Sequence, residues 1–212
     1  MEITWYGHSC FRVRAKEGVV VTDPFDKSIG YSLPRMPADI VTISHDHPGH
    51  NNAAAVKGEP HVIAGPGEYE IKGIFVFGIP TFHDKRKGRD RGRNTVYLIE
   101  AENLSVCHLG DLGHVPLQAQ VEQLGEVDIL LVPVGGTSTL NPATAVEVIN
   151  LIEPRIVIPM HYRTPYVKIK LDPVDAFLKE LAVRPEPQES LKLQAGSLPE
   201  ETQVVLLEVK GG

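Results

Sequence analysis

Cysteine is scarce in this chain: Cys10 and Cys107 are the only two among 212 residues. Two cysteines make at most one bridge, so no disulfide framework is expected, and both read as buried thiols. Both also sit inside strand patterns, where an activated thiol is not expected. No apolar run approaches the roughly 18–20 residues that a membrane helix needs. The opening segment MEITWYGHSCFRV lacks the basic head and apolar stretch of a secretory signal. Positive charge is in deficit, with 21 Lys and Arg against 27 Asp and Glu and a formal net charge of −6. That balance argues against a general nucleic-acid binder but allows a local basic patch. No Gly-x-Ser-x-Gly stretch marks a serine nucleophile. What is left is a globular composition, 42% hydrophobic and 23% charged. It reads as a single domain over residues 1–212, expected to be soluble and cytoplasmic, with no membrane partner.

Short apolar runs dominate the first half. Residues 3–6, 11–13, 19–22, 40–44, 61–64, 69–71, 74–80, 95–100 and 104–109 read as strands, with a turn at Lys72 and Gly73 and a hairpin connection at 101–103. The second half alternates helices with strands. Leu117, Val121 and Leu124 recur at helical spacing after Pro116, and 129–132 reads as a strand. Asn141 followed by Pro142 is a helix start. Ala145, Val148, Ile149 and Ile152 then fall on one helical face. Residues 155–160 read as a strand. Asp172 and Pro173 repeat the helix-start pattern before the stripe Val174, Phe177, Leu178 and Leu181, and 191–194 and 203–209 look like closing strands. Short strands followed by strand–helix units predict an α/β sandwich whose sheets are covered by helices.

Histidine is where the sequence becomes specific. Segment 44–50, SHDHPGH, places His45, His47 and His50 within six residues of one another, directly after an apolar strand. In an extended segment alternate residues point the same way, so His45 and His47 can share one ion, while His50, beyond Pro48 and Gly49, faces elsewhere. The plainer alternative is a polar start to a short helix over 51–56. Three further apolar runs end in a ligand-type residue: 74–82 in His83, 104–109 in Asp111 after Gly110, and 155–160 in His161. Each alone has an ordinary structural explanation as a loop opening, a turn cap or a core histidine. Together, four strand ends of one design point to a metal site assembled on loops. The segment 83–94, HDKRKGRDRGRN, carries six basic and two acidic residues. It is either a solvated loop or a flap that attracts an anionic substrate.

These pieces resemble the metallo-β-lactamase superfamily of metal-dependent hydrolases, and within it the small L-ascorbate-6-phosphate lactonase-like group. The matching stretches are GHSCF at 7–11, VTDPF at 21–25, SHDHPGH at 44–50, FHD at 82–84, RGRN at 91–94, HLGDLGH at 108–114, PVGG at 133–136 and IPMHYRT at 158–164. The resemblance implies an αββα four-layer sandwich of α/β class, with the metal site at one edge between the sheets. It implies a first ion on His45, His47 and His83, a second on His50 and His161, and Asp111 as the bridge. The family pattern is HxHxDH, and Gly49 stands where the aspartate belongs. The second site is therefore expected to lack a carboxylate and to hold its ion more weakly, and Gly49→Asp to tighten it unless a positive φ at Gly49 opposes a side chain.

The catalytic set expected from the resemblance is Asp111 with Asp46 and His8. Asp46 is expected to orient a ligand imidazole, and Asp23 to be a supporting carboxylate. His8, His114 and Tyr162 are alternatives for a proton donor or oxyanion partner. The expected cofactors are one or two divalent transition ions, with zinc first and manganese or iron also compatible. The expected chemistry is attack by metal-activated water on an ester, a lactone or a phosphate-containing small molecule, anionic by the basic segment. Two alternatives stand beside it: a phosphodiesterase or nuclease-like hydrolase, and a metal-binding protein with weak or lost catalysis. Homo-oligomerisation is left open.

Overall fold

The computed structural model describes residues 1–210. Its strands are β1 (Glu2–Trp5), β2 (Phe11–Arg14), β3 (Val19–Thr22), β4 (Ile40–Thr42), β5 (His61–Ile63), β6 (Gly67–Ile71), β7 (Ile74–Phe82), β8 (Arg93–Ala101), β9 (Leu104–His108), β10 (Ile129–Pro133), β11 (Ile156–Met160), β12 (Leu191–Lys192) and β13 (Gln203–Val204). The helices are α1 (Gln118–Leu124), α2 (Pro142–Ile152) and α3 (Val174–Glu180). One sheet runs β12-β1-β2-β3-β4-β5 and the other β13-β11-β10-β9-β8-β7-β6. The two mixed sheets with flanking helices form the α/β sandwich that the sequence predicts. No helix among the described residues is long and apolar enough to cross a membrane.

Local chemistry fixes the register. The β6–β7 and β8–β9 hairpins close through Lys72–Gly73 and Glu102–Asn103, two-residue loops whose φ angles are all positive. That geometry matches the right-handed twist of the paired strands. Strands β9, β10 and β11 are parallel neighbours and buried along their whole length, which is why they read as unbroken apolar runs. One core cluster joins Trp5, Phe11, Val13 and Ile40 of the first sheet to Val76, Tyr97, Ile99, Val106 and Leu131 of the second. Burying a side chain such as Phe11 contributes roughly 1.5–3 kcal/mol.

Helix α2 buries the anticipated face, Ala145, Val148, Ile149 and Ile152, and Asn141 caps it by accepting from the Thr144 N–H. Other boundaries differ. Leu117 is the residue before α1 and stands 68% exposed, while Pro116 beside it is buried. Pro173, not Asp172, precedes α3, because the Asp172 backbone bonds Gly135 and Arg163. The stretch 51–56 forms only a single 3-10 turn, Ala53–Ala55. The closing strand stops at Val204, after which Leu207 forms one bridge to Gln188. Cys10 and Cys107 are buried and unpaired, and burial pushes both thiols up.

Candidate metal centre

The chain returns repeatedly to one edge of the sandwich. The loop after β1 delivers His8, that after β3 Asp23, that after β4 His45, His47 and His50, and those after β7, β9 and β11 His83, Asp111 and His161. Crevices outside the carboxyl ends of strands are the usual ligand positions of α/β sheets. The 44–50 stretch is not an extended strand. It bends, with the His47 C=O accepting from the N–H groups of His50 and Asn51. The bend still leaves the His45 and His47 rings 4.5 Å apart between centroids.

Asp111 lies at the centre. Its Oδ2 is 3.2 Å from His83 Nε2, 3.3 Å from His50 Nε2 and 3.8 Å from His45 Nε2, and its Oδ1 is 3.3 Å from His161 Nε2. All five residues are buried, whereas His47 faces solvent. His45, His47 and His83 hold their ligand atoms within 4.8 Å of one another, as do His8, His50 and His161. Asp111 Oδ1 and His45 Nε2 have no hydrogen-bond partner among the described residues. A buried carboxylate oxygen and imidazole nitrogen left without partners are costly, and a divalent cation would satisfy both. The donor set therefore fits a transition metal, and its histidines and carboxylate suit an open site better than a structural one built on cysteines.

Electrostatics set the protonation of the metal-free cluster, in which an ion at His50 would displace a proton. Burial pushes the Asp111 carboxyl up, but the neighbouring His161 and His50 outweigh it and hold it well below the usual carboxylate range. Burial, helped by the charge of His50, lowers His45 to about 3, so its ring is neutral with a free lone pair. Burial also acts to lower His50, yet Asp111 and Asp23 prevail and raise it to about 10.

Supporting contacts fix these groups. Asp23 Oδ2 accepts from His50 Nδ1 at 2.8 Å, and its Oδ1 accepts from the Ser44 N–H at 2.7 Å. Ser44 Oγ bonds Asp23 and lies 2.9 Å from His45 Nδ1. Asn94 accepts from the Asp111 N–H and donates to the Leu109 C=O. Asp23 thus does the orienting that the sequence reading gave to Asp46. Asp46 itself is exposed and bonded to Asn51, outside the cluster. His114 is used structurally, since its Nε2 accepts from the Phe82 N–H and its Nδ1 bonds the Val115 C=O. Tyr162 is buried against the Trp5 ring.

The expected gap beside Gly49 is filled. A Cβ at Gly49 would stand 2.9 Å from His8 Nε2, and Gly49 does not have a positive φ. The obstacle to Gly49→Asp is the His8 ring, not the backbone. The basic segment is closed around Asp84, whose carboxylate accepts the N–H groups of Arg86, Gly88, Asp90 and Arg91. It borders the site through the His83 N–H to Gly92 C=O bond. It is a pinned rim and not a free flap. Ser44 and Asn94 receive no role from the sequence alone. Their only signal was position, at the end of a strand pattern and inside RGRN.

A two-sheet sandwich with a histidine and carboxylate centre on its loops is the architecture of a metal-dependent hydrolase. The beta-lactamase superfamily domain matches residues 2–161. A UPF0173 protein of Pyrococcus abyssi is 31% identical over 188 residues, 77% of this chain and 84% of its own. A UPF0173 metal-dependent hydrolase of Methanopyrus kandleri is 28% identical over 213 residues, 85% of this chain and 91% of its own. The crystal structure of a proposed Zn-dependent hydrolase from Thermotoga maritima superposes with a TM-score of 0.83 at 46% identity, covering 99% of both chains. The chain belongs to the metallo-β-lactamase superfamily of metal-dependent hydrolases.

Proposed function

We propose that the chain hydrolyses an anionic ester, lactone or phosphate-containing small molecule at a two-ion centre. His45, His47 and His83 would hold the first ion, His50 and His161 the second, and Asp111 would serve both. The observation that carries this reading is the convergence of four imidazole nitrogens on one buried carboxylate. A divalent transition metal, when bound, supplies Lewis acidity and lowers the pKa of water from about 15.7 toward about 7. Asp111, ionised by its surroundings, offers Oδ2 toward His45, His50 and His83 and Oδ1 toward His161. Asp23 keeps the His50 ring turned so that Nε2 faces the centre. Exposed His47 marks the open side. The rim segment carries Lys85, Arg86, Lys87, Arg89, Arg91 and Arg93 directly after His83, and His47 is lowered by burial first, then by His83 and His50, with the Arg91 charge adding to it. Such a rim draws anions toward the opening.

The test is to strip the protein of metal, reload it with zinc, manganese or ferrous iron, and assay a chromogenic ester, a lactone and an aryl phosphodiester in parallel. Metal-dependent turnover of the ester or the lactone is expected. Turnover of the phosphodiester alone would move the chain to phosphodiesterase chemistry. No turnover of any of the three by protein holding two ions would favour a metal-binding role without catalysis.

A further inference from the structure

We infer that His8 is a ligand of the second ion and replaces the carboxylate that an HxHxDH site carries at the position of Gly49. The inference rests on the two-ion reading above and goes beyond it by giving the second site a donor from the loop after β1.

Volume is the first argument. A Cβ on residue 49 would lie 2.9 Å from His8 Nε2 and 3.2 Å from His8 Cδ2. As the His8 ring stands in this chain, it occupies the space that a side chain on residue 49 would need.

Spacing is the second. His8 Nε2 lies 3.2 Å from His50 Nε2. Two imidazole nitrogens each about 2.0–2.1 Å from one tetrahedral ion stand about 3.3 Å apart. His50 Nε2 is 3.3 Å from Asp111 Oδ2 and His161 Nε2 is 3.3 Å from Asp111 Oδ1, so the His8–His50 and His50–Oδ2 separations match two edges of one coordination shell, with His161 facing the other oxygen.

The third argument is how the ring is held. His8 has φ +52 and His161 has φ +52, a left-handed backbone that is uncommon outside glycine. The His8 C=O accepts from both the Trp5 Nε1–H and the His161 N–H, each at 3.0 Å. The shared backbone geometry and the bond between the two residues fix where each ring leaves the chain. The His8 ring is 2% exposed, and the nitrogen it turns toward the cluster is Nε2. In the metal-free protein a proton between His8 Nε2 and His50 Nε2 satisfies the pair, and an ion would take that proton's place.

Replacing a carboxylate by an imidazole changes the donor chemistry. The second site becomes three imidazoles and one shared carboxylate. Nitrogen-rich sets suit zinc, while carboxylate-rich sets suit manganese. The second site should therefore select zinc over manganese more strongly than a site with an aspartate at position 49.

The experiment titrates metal-free protein with zinc by calorimetry, with elemental analysis of the dialysed product. It compares the unaltered chain, His8→Asn, Gly49→Asp, and His8→Asn with Gly49→Asp. Asparagine tolerates the left-handed backbone but is too short to reach the ion. His8→Asn should weaken the second ion at least about 100-fold and leave the first unchanged, and Gly49→Asp alone should weaken it too. The double variant should regain the second ion and bind manganese there better than the unaltered chain. Two ions held with unchanged affinity by His8→Asn would overturn the inference, as would a double variant that regains nothing. Fewer than two ions in the unaltered protein would instead refute the two-ion reading. Should His8→Asn fail to fold, 15N-histidine NMR of the unaltered protein decides. Shifts in the His8, His50 and His161 rings with the second zinc equivalent support the assignment, and an unmoved His8 ring overturns it.

Discussion

Asp23→Asn is a single-atom change whose effect follows from fixed donors. The Asp23 carboxylate is fully buried, with Oδ1 accepting from the Ser44 N–H and Oδ2 bonded to His50 Nδ1 and Ser44 Oγ. The Ser44 N–H can only donate, so the amide oxygen of an asparagine must stay on that side. Its NH2 then faces His50 Nδ1, where the carboxylate had accepted a proton. A donor there asks Nδ1 to accept, so the neutral ring that an ion would need carries its proton on Nε2, the nitrogen aimed at Asp111 and the ion. Metal binding must then expel that proton or break the new hydrogen bond. Losing an orienting partner of a ligand histidine costs about 10–100-fold in metal affinity, or about 1.4–2.8 kcal/mol. The larger loss should fall on the ion that His50 holds, since the one on His45, His47 and His83 is reached from Asp23 only through Ser44. The φ of +39 at Asp23 is one that asparagine also accepts, so the fold should survive. Zinc titration by calorimetry, with thermal unfolding of the metal-free forms as control, measures both effects. Unchanged affinity for both ions in a folded variant would refute the claim that Asp23 sets the tautomer of His50.

Three further outcomes are expected. Replacing His45 and His47 together by Ala should remove the first ion and all metal-dependent hydrolysis while circular dichroism shows a folded domain; full metal content in that variant would refute the ligand assignment. Neutralising Lys85, Lys87 and Arg89 should flatten the rise of KM with ionic strength for an anionic substrate, since exposed charges are screened over about 8 Å at physiological salt; identical salt curves would leave the rim without a part in binding. Phe177→Ala removes the one fully buried side chain of α3 and should cost about 3–5 kcal/mol, seen as a Tm lower by roughly 10 °C.

The parts legible in the sequence are those set by local chemistry. Helix α2 was readable because Asn141, Pro142 and the stripe through Ile152 act within one helix. The clustered residues were readable because His45, His83, Asp111 and His161 each follow an apolar strand, and these strand ends gather at one edge of the sandwich. Leu117 and Asp172 were misplaced because periodicity and cap patterns count neighbours along the chain. The actual boundaries answer to contacts such as the Asp172 N–H on the Gly135 C=O, 37 residues away in sequence. His8 is the sharpest case. Gly49 signals a missing charge, and nothing in the spacing between residues 8 and 49 says that an imidazole fills the space. The missing side chain also reports a volume, and only the packed structure shows what occupies it.

Charge links His8 to the basic rim. Segment 83–94 carries six basic and two acidic residues in a chain of net charge −6, so the rest of the protein is more acidic than the whole. An aspartate at position 49 would add one negative charge inside the centre, beside that rim. A neutral imidazole does not, so the centre with its ions is more positive by one unit than an HxHxDH site of the same occupancy. Inside a buried pocket this difference is screened far less than at the surface. The same substitution that favours zinc therefore also strengthens attraction for an anionic substrate, and removing it by His8→Asn with Gly49→Asp should raise KM for an anionic ester more than for a neutral one. Equal changes in KM for the two esters would show that the extra charge of the second site is not felt by the substrate.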